Sequence, residues 1–426
     1  MEKEKVILGE NCCYSVDSKE TGLNNNVIVC GGSGSGKTMS ISEPRLLETK
    51  TSSIIAVVTK RRIVNKYIPL FEERGYEILD LNFVDPDKST CCYDPLQYVK
   101  SYSDITFLAK SIIKANKQKD NSNADPYWDE AAISLLSAEI AYIMMTKENA
   151  TFVDVLEVND SLTLDDGSGT IQTSLDDNFD YIAAENPSCF AISCWRTFKQ
   201  LPVKTAACVF STLNSTIDTV FSPEIRKMIE SEKKVNFEQM GNKRTILFVT
   251  TSAVNSALHS FVNMFYAQAF KQLFEYAENC PDGVLPVPVH VLCDDFAMGG
   301  EILNFPEFIS IFREKGISVT LLLQSESQLN QMYGTDNSVT IINNCDTYIY
   351  LGGMDLRTAQ NVSVRLNSPL DEVLYMPIGQ EILFRRGQRP IITKRYEIQK
   401  NTLYRKITDD YKKRMLNEER SEKSSM

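Results

Sequence analysis

Histidine is scarce: a chain of 426 residues holds two, His259 and His290. With so few imidazoles, and no C-x-x-C spacing among the 11 cysteines, a zinc site has no ligand set to draw on. Both histidines read as structural; His290 lies within an apolar strand pattern, where one satisfied hydrogen bond suffices. Long apolar runs are missing as well. The longest, Leu135 to Met145, is interrupted by Glu139 and falls short of the roughly 18 residues of a membrane span. The opening Met-Glu-Lys-Glu-Lys lacks the apolar stretch of a secretion signal. The expectation is therefore a cytoplasmic chain with no transmembrane segment of its own, held at a membrane only through a partner. Its cysteines, including the adjacent pairs Cys12-Cys13 and Cys91-Cys92, read as reduced thiols. Basic charge is not in excess either. A net charge of −11 excludes a protein that coats nucleic acid over its whole surface. A local basic stripe stays possible, because screening limits distant charges to about 8–10 Å.

What remains is an ordinary globular composition, 43% hydrophobic and 24% charged, in a chain long enough for two or three domains. Its organising stretch is Gly31-Gly32-Ser33-Gly34-Ser35-Gly36-Lys37-Thr38. The apolar run Val27 to Cys30 precedes it, and Met39-Ser40-Ile41-Ser42 can continue as a helix. That strand, glycine loop and helix order is what a phosphate-binding loop requires. Glycines let successive backbone N–H groups turn inward, and the helix N-terminus adds partial positive charge. Lys37 would reach the β- and γ-phosphates of ATP, and the Thr38 hydroxyl would bind Mg²⁺. The bland alternative, a flexible glycine-serine linker, sits poorly with a buried strand immediately before it.

Apolar runs at Ser53 to Val58 and Glu77 to Phe83, with helical spacing from Ile63 to Arg74 between them, predict a parallel α/β sheet. Helical spacing then dominates, from Ile105 to Ala115 and from Trp128 to Thr146, with a polar loop at 117–125 between them. Strand patterns resume at Arg244 to Thr250, Val287 to Cys293 and Ile317 to Leu323. Further strands follow near 347–351, 381–385 and 391–396, with helices at about 253–276 and 305–315. The division this implies is a RecA-like P-loop domain in two parts, residues 1–97 and 226–400. An all-α insertion occupies 98–225, and a charged tail that ends as a frayed helix occupies 401–426. Residues 1–26 read as a polar lead-in. Residues 148–195 contain ten Asp or Glu and no Lys or Arg. They are either a docking face for a basic partner or a solvated acidic loop around Asp165-Asp166-Gly167 and Asp176-Asp177.

A phosphate loop needs an acidic partner at the carboxyl end of a nearby parallel strand. Asp294-Asp295 closes a seven-residue run of that kind. Asp294 is the candidate for Mg²⁺ coordination, and Asp295 for orienting the attacking water. Gln324 ends the next strand, where a side chain can sense the γ-phosphate. Read by its position alone, it is equally a neighbour of a helix cap.

The run Asp294-Asp295-Phe296-Ala297-Met298-Gly299-Gly300, then Pro306, Arg313 and Leu323-Gln324-Ser325-Glu326-Ser327-Gln328-Leu329 with Tyr333, resembles the TraG/TraD-type conjugative coupling proteins. These are the DNA-transfer ATPases of type IV secretion systems. Asn344-Cys345-Asp346-Thr347, Leu351-Gly352-Gly353 and Asp125-Pro126-Tyr127-Trp128 extend the likeness over roughly residues 25 to 400. The resemblance implies a RecA-like motor carrying an all-α domain. It also implies a homo-hexameric ring that hydrolyses ATP at subunit interfaces and passes relaxase-bound single-stranded DNA to the membrane proteins of the secretion channel. By that likeness alone, Arg313 is the arginine finger reaching a neighbouring subunit; bottom-up it is a solvated helix residue.

Three departures stand out. Family members usually begin with transmembrane helices, whereas this chain reaches its first strand after about 25 residues, so a membrane partner, a truncation or a soluble relative is expected. Val58-Thr59-Lys60-Arg61-Arg62 stands where the family commonly has Asp-Pro-Lys-Gly-Glu. The usual Asp-Glu of the acidic motif is Asp294-Asp295, one methylene shorter, which displaces the water-directing carboxylate by about 1 Å and can cost on the order of 10² in rate. Two other readings stay open: a nucleotide-binding assembly subunit with weak or no hydrolysis, and a soluble DNA packaging or segregation translocase. Lys60-Arg61-Arg62 and Arg385-Arg386-Gly387-Gln388-Arg389 are the basic clusters to test against DNA, each equally a solvated turn.

Overall fold

The structure is a computed structural model that describes residues 3–115, 126–165, 171–296, 298 and 300–424. The polar loop at 117–125 and the Asp166-Gly167 turn lie outside the described residues.

The amino-terminal stretch is not a polar lead-in but an antiparallel hairpin, β1 (Lys5–Gly9) with β2 (Cys12–Ser15). One buried carboxylate anchors it. Glu4 pairs with Arg45 at 2.9 Å and accepts from the backbone N–H groups of Lys50, Thr51 and Ser52 at 2.7, 2.7 and 3.1 Å. Burial opposes its ionisation, but Arg45, Ser52 and the amides outweigh that and hold the carboxyl down at about 2.

The main sheet begins with β3 (Val27–Cys30), β4 (Ser53–Val58) and β5 (Glu77–Asn82). A two-residue pair, β6 (Leu164–Asp165) and β7 (Gln172–Thr173), lies within the helical stretch. The sheet then continues with β8 (Thr245–Thr250), β9 (Val289–Cys293), β10 (Ile317–Leu323), β11 (Thr347–Tyr350), β12 (Gln380–Arg385) and β13 (Ile391–Lys394). Their order is β13-β12-β11-β3-β10-β9-β4-β8-β5. Pairing is parallel from β11 across to β5, and antiparallel in the β11-β12-β13 extension. The central strands are covered on both faces, which is why they read as unbroken apolar runs. Val27, Val29, Ile54 and Ala56 face one core, and Ile28, Cys30, Ile55 and Val57 the other.

Helix Arg61–Glu73 and the hairpin cover the first face. The charged carboxyl-terminal stretch, expected to fray, is a docked helix, Thr402–Ser424. Lys66 explains the docking: it forms a buried ion pair with Glu43 and donates to the Tyr404 hydroxyl at 3.1 Å, so a charged helix finds polar partners under its first turns. Helices Ser256–Asn279, Phe305–Lys315 and Glu326–Asn343 pack on the second face.

Between β5 and β8 the chain is mainly helical, with Tyr102–Ala115, Pro126–Thr146, Phe190–Lys199 and Val203–Val220 among its longer elements. Phe179 stacks on Trp195 at 4.0 Å in its interior. Glu139, which interrupts the longest apolar run, is fully buried, and burial drives its carboxyl well above the ordinary range. The acidic stretch 148–195 is partly neutralised by bases just outside it: Lys147 on Asp154, Lys199 on Asp176, and Arg226 on Asp160. Among the described residues no helix is long and apolar enough to cross a membrane.

Candidate nucleotide site

Register decides which side chains meet. The carboxyl ends of the parallel strands align, with Cys30 opposite both Leu323 and Tyr350, and Cys293 opposite both Leu321 and Val57. The phosphate loop, Gln324, the Asp294-Asp295 pair and Lys60 therefore stand side by side on one edge, at the ends of β3, β10, β9 and β4. With about 4.8 Å between neighbouring strands, the acidic pair lies two strands, roughly 10 Å, from the loop strand.

The loop is held from both sides, as Gly31 N–H donates to Leu323 O at 3.1 Å and Gly32 N–H to Gly352 O at 2.9 Å. A Cβ on Gly31 would come within 2.8 Å of Leu351 Cβ, so this position excludes any side chain. Gly34 and Gly36 adopt φ of +73° and +85°, the left-handed turn that carries Ser33 and Ser35 around the loop. The helix behind it opens with a π-type turn, Thr38–Ser42, in which Glu43 N–H reaches back to Thr38 O. Pro44, which has no N–H for the ordinary ladder, accounts for that widening.

Lys37 folds inward and donates to Gly31 O at 2.6 Å and Gly32 O at 3.3 Å. Burial loosens its proton, while the nearby Asp295 and Asp294 act to retain it. Asp294 is 8% exposed, and burial together with the charge of Asp295 raises its carboxyl from 3.8 to about 6, against the pull of Lys60 and Lys37. Asp295 has a left-handed backbone, φ +51°, which aspartate tolerates better than most residues. Phe296 N–H closes that turn on Leu322 O at 3.0 Å. Two carboxylates with one held half-neutral near pH 6, facing an ammonium across a gap, form a donor set suited to a divalent cation and a polyphosphate.

Gln324 is exposed, and its N–H donates to Gln328 Oε1 at 3.2 Å. Below it Glu326 is buried, paired with Arg365 at 2.7 Å and with Asn361 Nδ2 at 2.6 Å. Tyr333 lies against Phe296 and accepts from Ile302 N–H at 3.1 Å, so those motif residues pack the floor of the site.

Arg313 is not brought to this edge. It is exposed near the end of helix Phe305–Lys315, at the amino end of β10. A seven-residue strand, about 23 Å, separates that end from Gln324. It lines a cavity of about 1050 Å³ with Lys3, Asp17, Lys19 and Glu314.

The basic clusters divide. Arg61 is half-buried and forms a two-pronged ion pair with Asp80, so it is a structural cation rather than an open contact for DNA. Arg385 lies over the Tyr14 ring at 3.7 Å, and Arg386 pairs with Asp346 at 3.1 Å. Lys60 is exposed and acts electrostatically on both Asp294 and Lys37. The sequence groups Lys60 with Arg61 and Arg62; strand register separates it from them and sets it beside the acidic pair. Both histidines have hydrogen-bond partners within the chain. His290 is buried between Ser318 Oγ and Thr320 Oγ1 at 2.8 and 2.9 Å, and burial lowers its affinity for a proton. His259 bonds Ser252 O at 2.6 Å and lines a small chamber with Asp294 and Asp295.

Comparison with known proteins places the geometry. A search of curated proteins finds no match. Among solved structures, the chain is similar to the bacterial conjugative coupling protein TrwBdeltaN70 with sulphate, with TM-score 0.70 and 15% identity, covering 93% of this chain and 90% of that one. It is similar to the plasmid coupling protein TrwB in complex with the non-hydrolysable ATP analogue ADPNP, with TM-score 0.69, 15% identity and the same coverage. A more distant likeness is to VirB4 of Thermoanaerobacter pseudethanolicus, with TM-score 0.54 and 11% identity over 93% of this chain and 97% of that one. These likenesses establish a RecA-like P-loop fold. The model of the family described as "Type IV secretory system Conjugative DNA transfer" matches residues 1–368. The chain belongs to the type IV secretory system conjugative DNA-transfer family, the coupling proteins.

Proposed function

We propose that this chain is an ATP-driven motor that moves conjugative DNA, as a relaxase-bound single strand, into a type IV secretion channel. One observation carries the reading: Lys37, Gln324 and the Asp294-Asp295 pair share one sheet edge, with the lysine proton held partly by those carboxylates. Residues Gly31 to Thr38 would hold the triphosphate of ATP. Thr38 and Asp294 would hold Mg²⁺, which when bound neutralises charge on the phosphates. Solved TrwB structures carry ADPNP, and ADP with Mg²⁺, which supports the same cofactors here. Lys37 stabilises negative charge, Asp295 orients the attacking water, and Gln324 senses the terminal phosphate from the strand between them. Arg313, a strand length from its own site, acts on a neighbouring subunit of a homo-hexamer. In this reading residues 1–97 and 226–400 form the motor, 98–225 an all-α unit and 401–426 an appendage. The ring sits at the inner face of the membrane through a partner.

The test is steady-state ATP hydrolysis with and without single-stranded DNA. Stimulation by DNA, abolished in Lys37→Ala, is the expected result. A purified oligomer that binds ATP and shows no turnover under either condition sinks the motor and leaves the assembly-subunit reading, which the short carboxylate of Asp295 favours.

A further inference from the structure

Arg395 follows the last residue of β13, and its guanidinium makes three hydrogen bonds to main-chain carbonyls. Nε donates to Gln380 O at 3.1 Å, Nη1 to Ser35 O and Nη2 to Leu351 O. Ser35 belongs to the phosphate loop, and Leu351 precedes Gly352, whose carbonyl accepts from Gly32 N–H. One side chain from the antiparallel extension thus fastens the loop and the segment beside it.

The bond to Ser35 O has a consequence across the peptide. An amide is planar and trans, so fixing the carbonyl oxygen on one side fixes the N–H of Gly36 on the other. With Ser35 O turned out to Arg395, the Gly36 amide turns into the loop, where a phosphate oxygen can accept from it. Gly36 at φ +85° permits the turn. A planar fork spreads its donors over three nitrogens and so spans three separated carbonyls, whereas the three donors of an ammonium radiate from a single nitrogen.

Behind Arg395 lies Glu381, fully buried, with neither carboxyl oxygen hydrogen-bonded. Arg395 is the charge that faces it. The neighbours of Glu381 include Gly9 of β1, where a Cβ would come within 2.2 Å of Oε1, and Thr393, its partner on β13. On β11, Tyr350 stands opposite the adjacent Ile382. Burial raises the Glu381 carboxyl to about 8, against the pull of Arg395. Near neutrality Glu381 keeps its proton and leaves the guanidinium on the loop.

We propose that Arg395 is a positioning residue for nucleotide, holding the Ser35–Gly36 peptide with its amide toward the phosphates, and that Glu381 is the buried counter-ion that competes for it. The proposal rests on the nucleotide-site reading above. Raising the pH through 8 ionises Glu381, draws Arg395 from Ser35 O and weakens binding.

Titration of the full chain with ATP and Mg²⁺ tests it between pH 7 and 9. Arg395→Ala is expected to weaken binding about tenfold at pH 7, and Arg395→Lys not to restore it. The wild type is expected to lose affinity as pH rises, with a flatter profile in Glu381→Gln. Burial also loosens the proton of Lys37 in the same loop, an effect common to the wild type and Glu381→Gln. A merely structural Arg395 would lower the melting temperature without making the profile depend on Glu381. Arg395→Ala binding within twofold of wild type overturns the proposal, and so do superimposable profiles for wild type and Glu381→Gln. Should Arg395→Ala fail to fold, the isosteric Glu381→Gln profile decides. Wild-type protein that binds no ATP at any pH instead defeats the nucleotide-site reading itself.

Discussion

Replacing Asp294 by asparagine is expected to stabilise the nucleotide-free protein while removing its metal-dependent binding of ATP. Asp294 is 8% exposed, and its folded-state carboxyl lies at about 6 rather than 3.8. Burial is the main cause, with Asp295 adding repulsion. The gap between the two values corresponds to about 3 kcal/mol. Because the folded value is the higher, the folded state binds the extra proton. The penalty is absent below 3.8, grows between 3.8 and 6, and is complete above 6. Asparagine carries no charge at any pH and escapes it. Thermal unfolding should therefore show Asp294→Asn more stable by up to about 3 kcal/mol at pH 7.5, a rise of several degrees, and by about half as much at pH 5. Titration with ATP should show Mg²⁺-dependent affinity in the wild type and its loss in the variant. A variant destabilised at pH 7.5, or one whose advantage is unchanged between pH 5 and 7.5, refutes the reasoning.

Other consequences follow from the same contacts. Glu4→Ala leaves Arg45 buried without its partner and three amides unaccepted, so unfolding in denaturant should show a loss of about 3–5 kcal/mol. The wild-type contribution of Glu4 is present above 4.5 and fades as pH falls toward 2, since the folded value is the lower. Arg313→Ala should leave ATP affinity unchanged while reducing turnover at least tenfold, and mixing it with Lys37→Ala protein should restore some activity if the two sites belong to different subunits. Asp295→Glu separates reach from backbone. A longer carboxylate that speeds hydrolysis shows reach to be limiting, whereas a stability loss of about 1 kcal/mol without a rate gain shows that the left-handed turn sets the choice of aspartate.

Much of the sheet was legible because buried parallel strands demand continuous apolar runs, and each of these runs became a strand. The misses share a physical cause. Residues 3–16 look polar because their one decisive side chain, Glu4, is stabilised by Arg45 and by backbone amides 46 to 48 residues away, which no local pattern shows. The helix Thr402–Ser424 looked like a tail because its anchor is the Lys66-Glu43 pair on other elements. Arg61 and Arg385 read as basic-cluster residues in the sequence because their partners, Asp80 and the Tyr14 ring, lie on other elements.

Sequence alone offered the phosphate loop, the acidic pair and the glutamine as candidates, because each is a short-range signal: a spacing of glycines, or a polar residue closing an apolar run. It also carried the family likeness. Strand order was not in it. Only the tertiary structure decided that β10 stands between β3 and β9, so that Gln324 lies between the loop and its carboxylates. It alone placed Arg313 at the opposite edge and set Arg395 on Ser35, 360 residues earlier in the chain. A motif specifies what a segment can bind; parallel register across the sheet specifies which segments bind together.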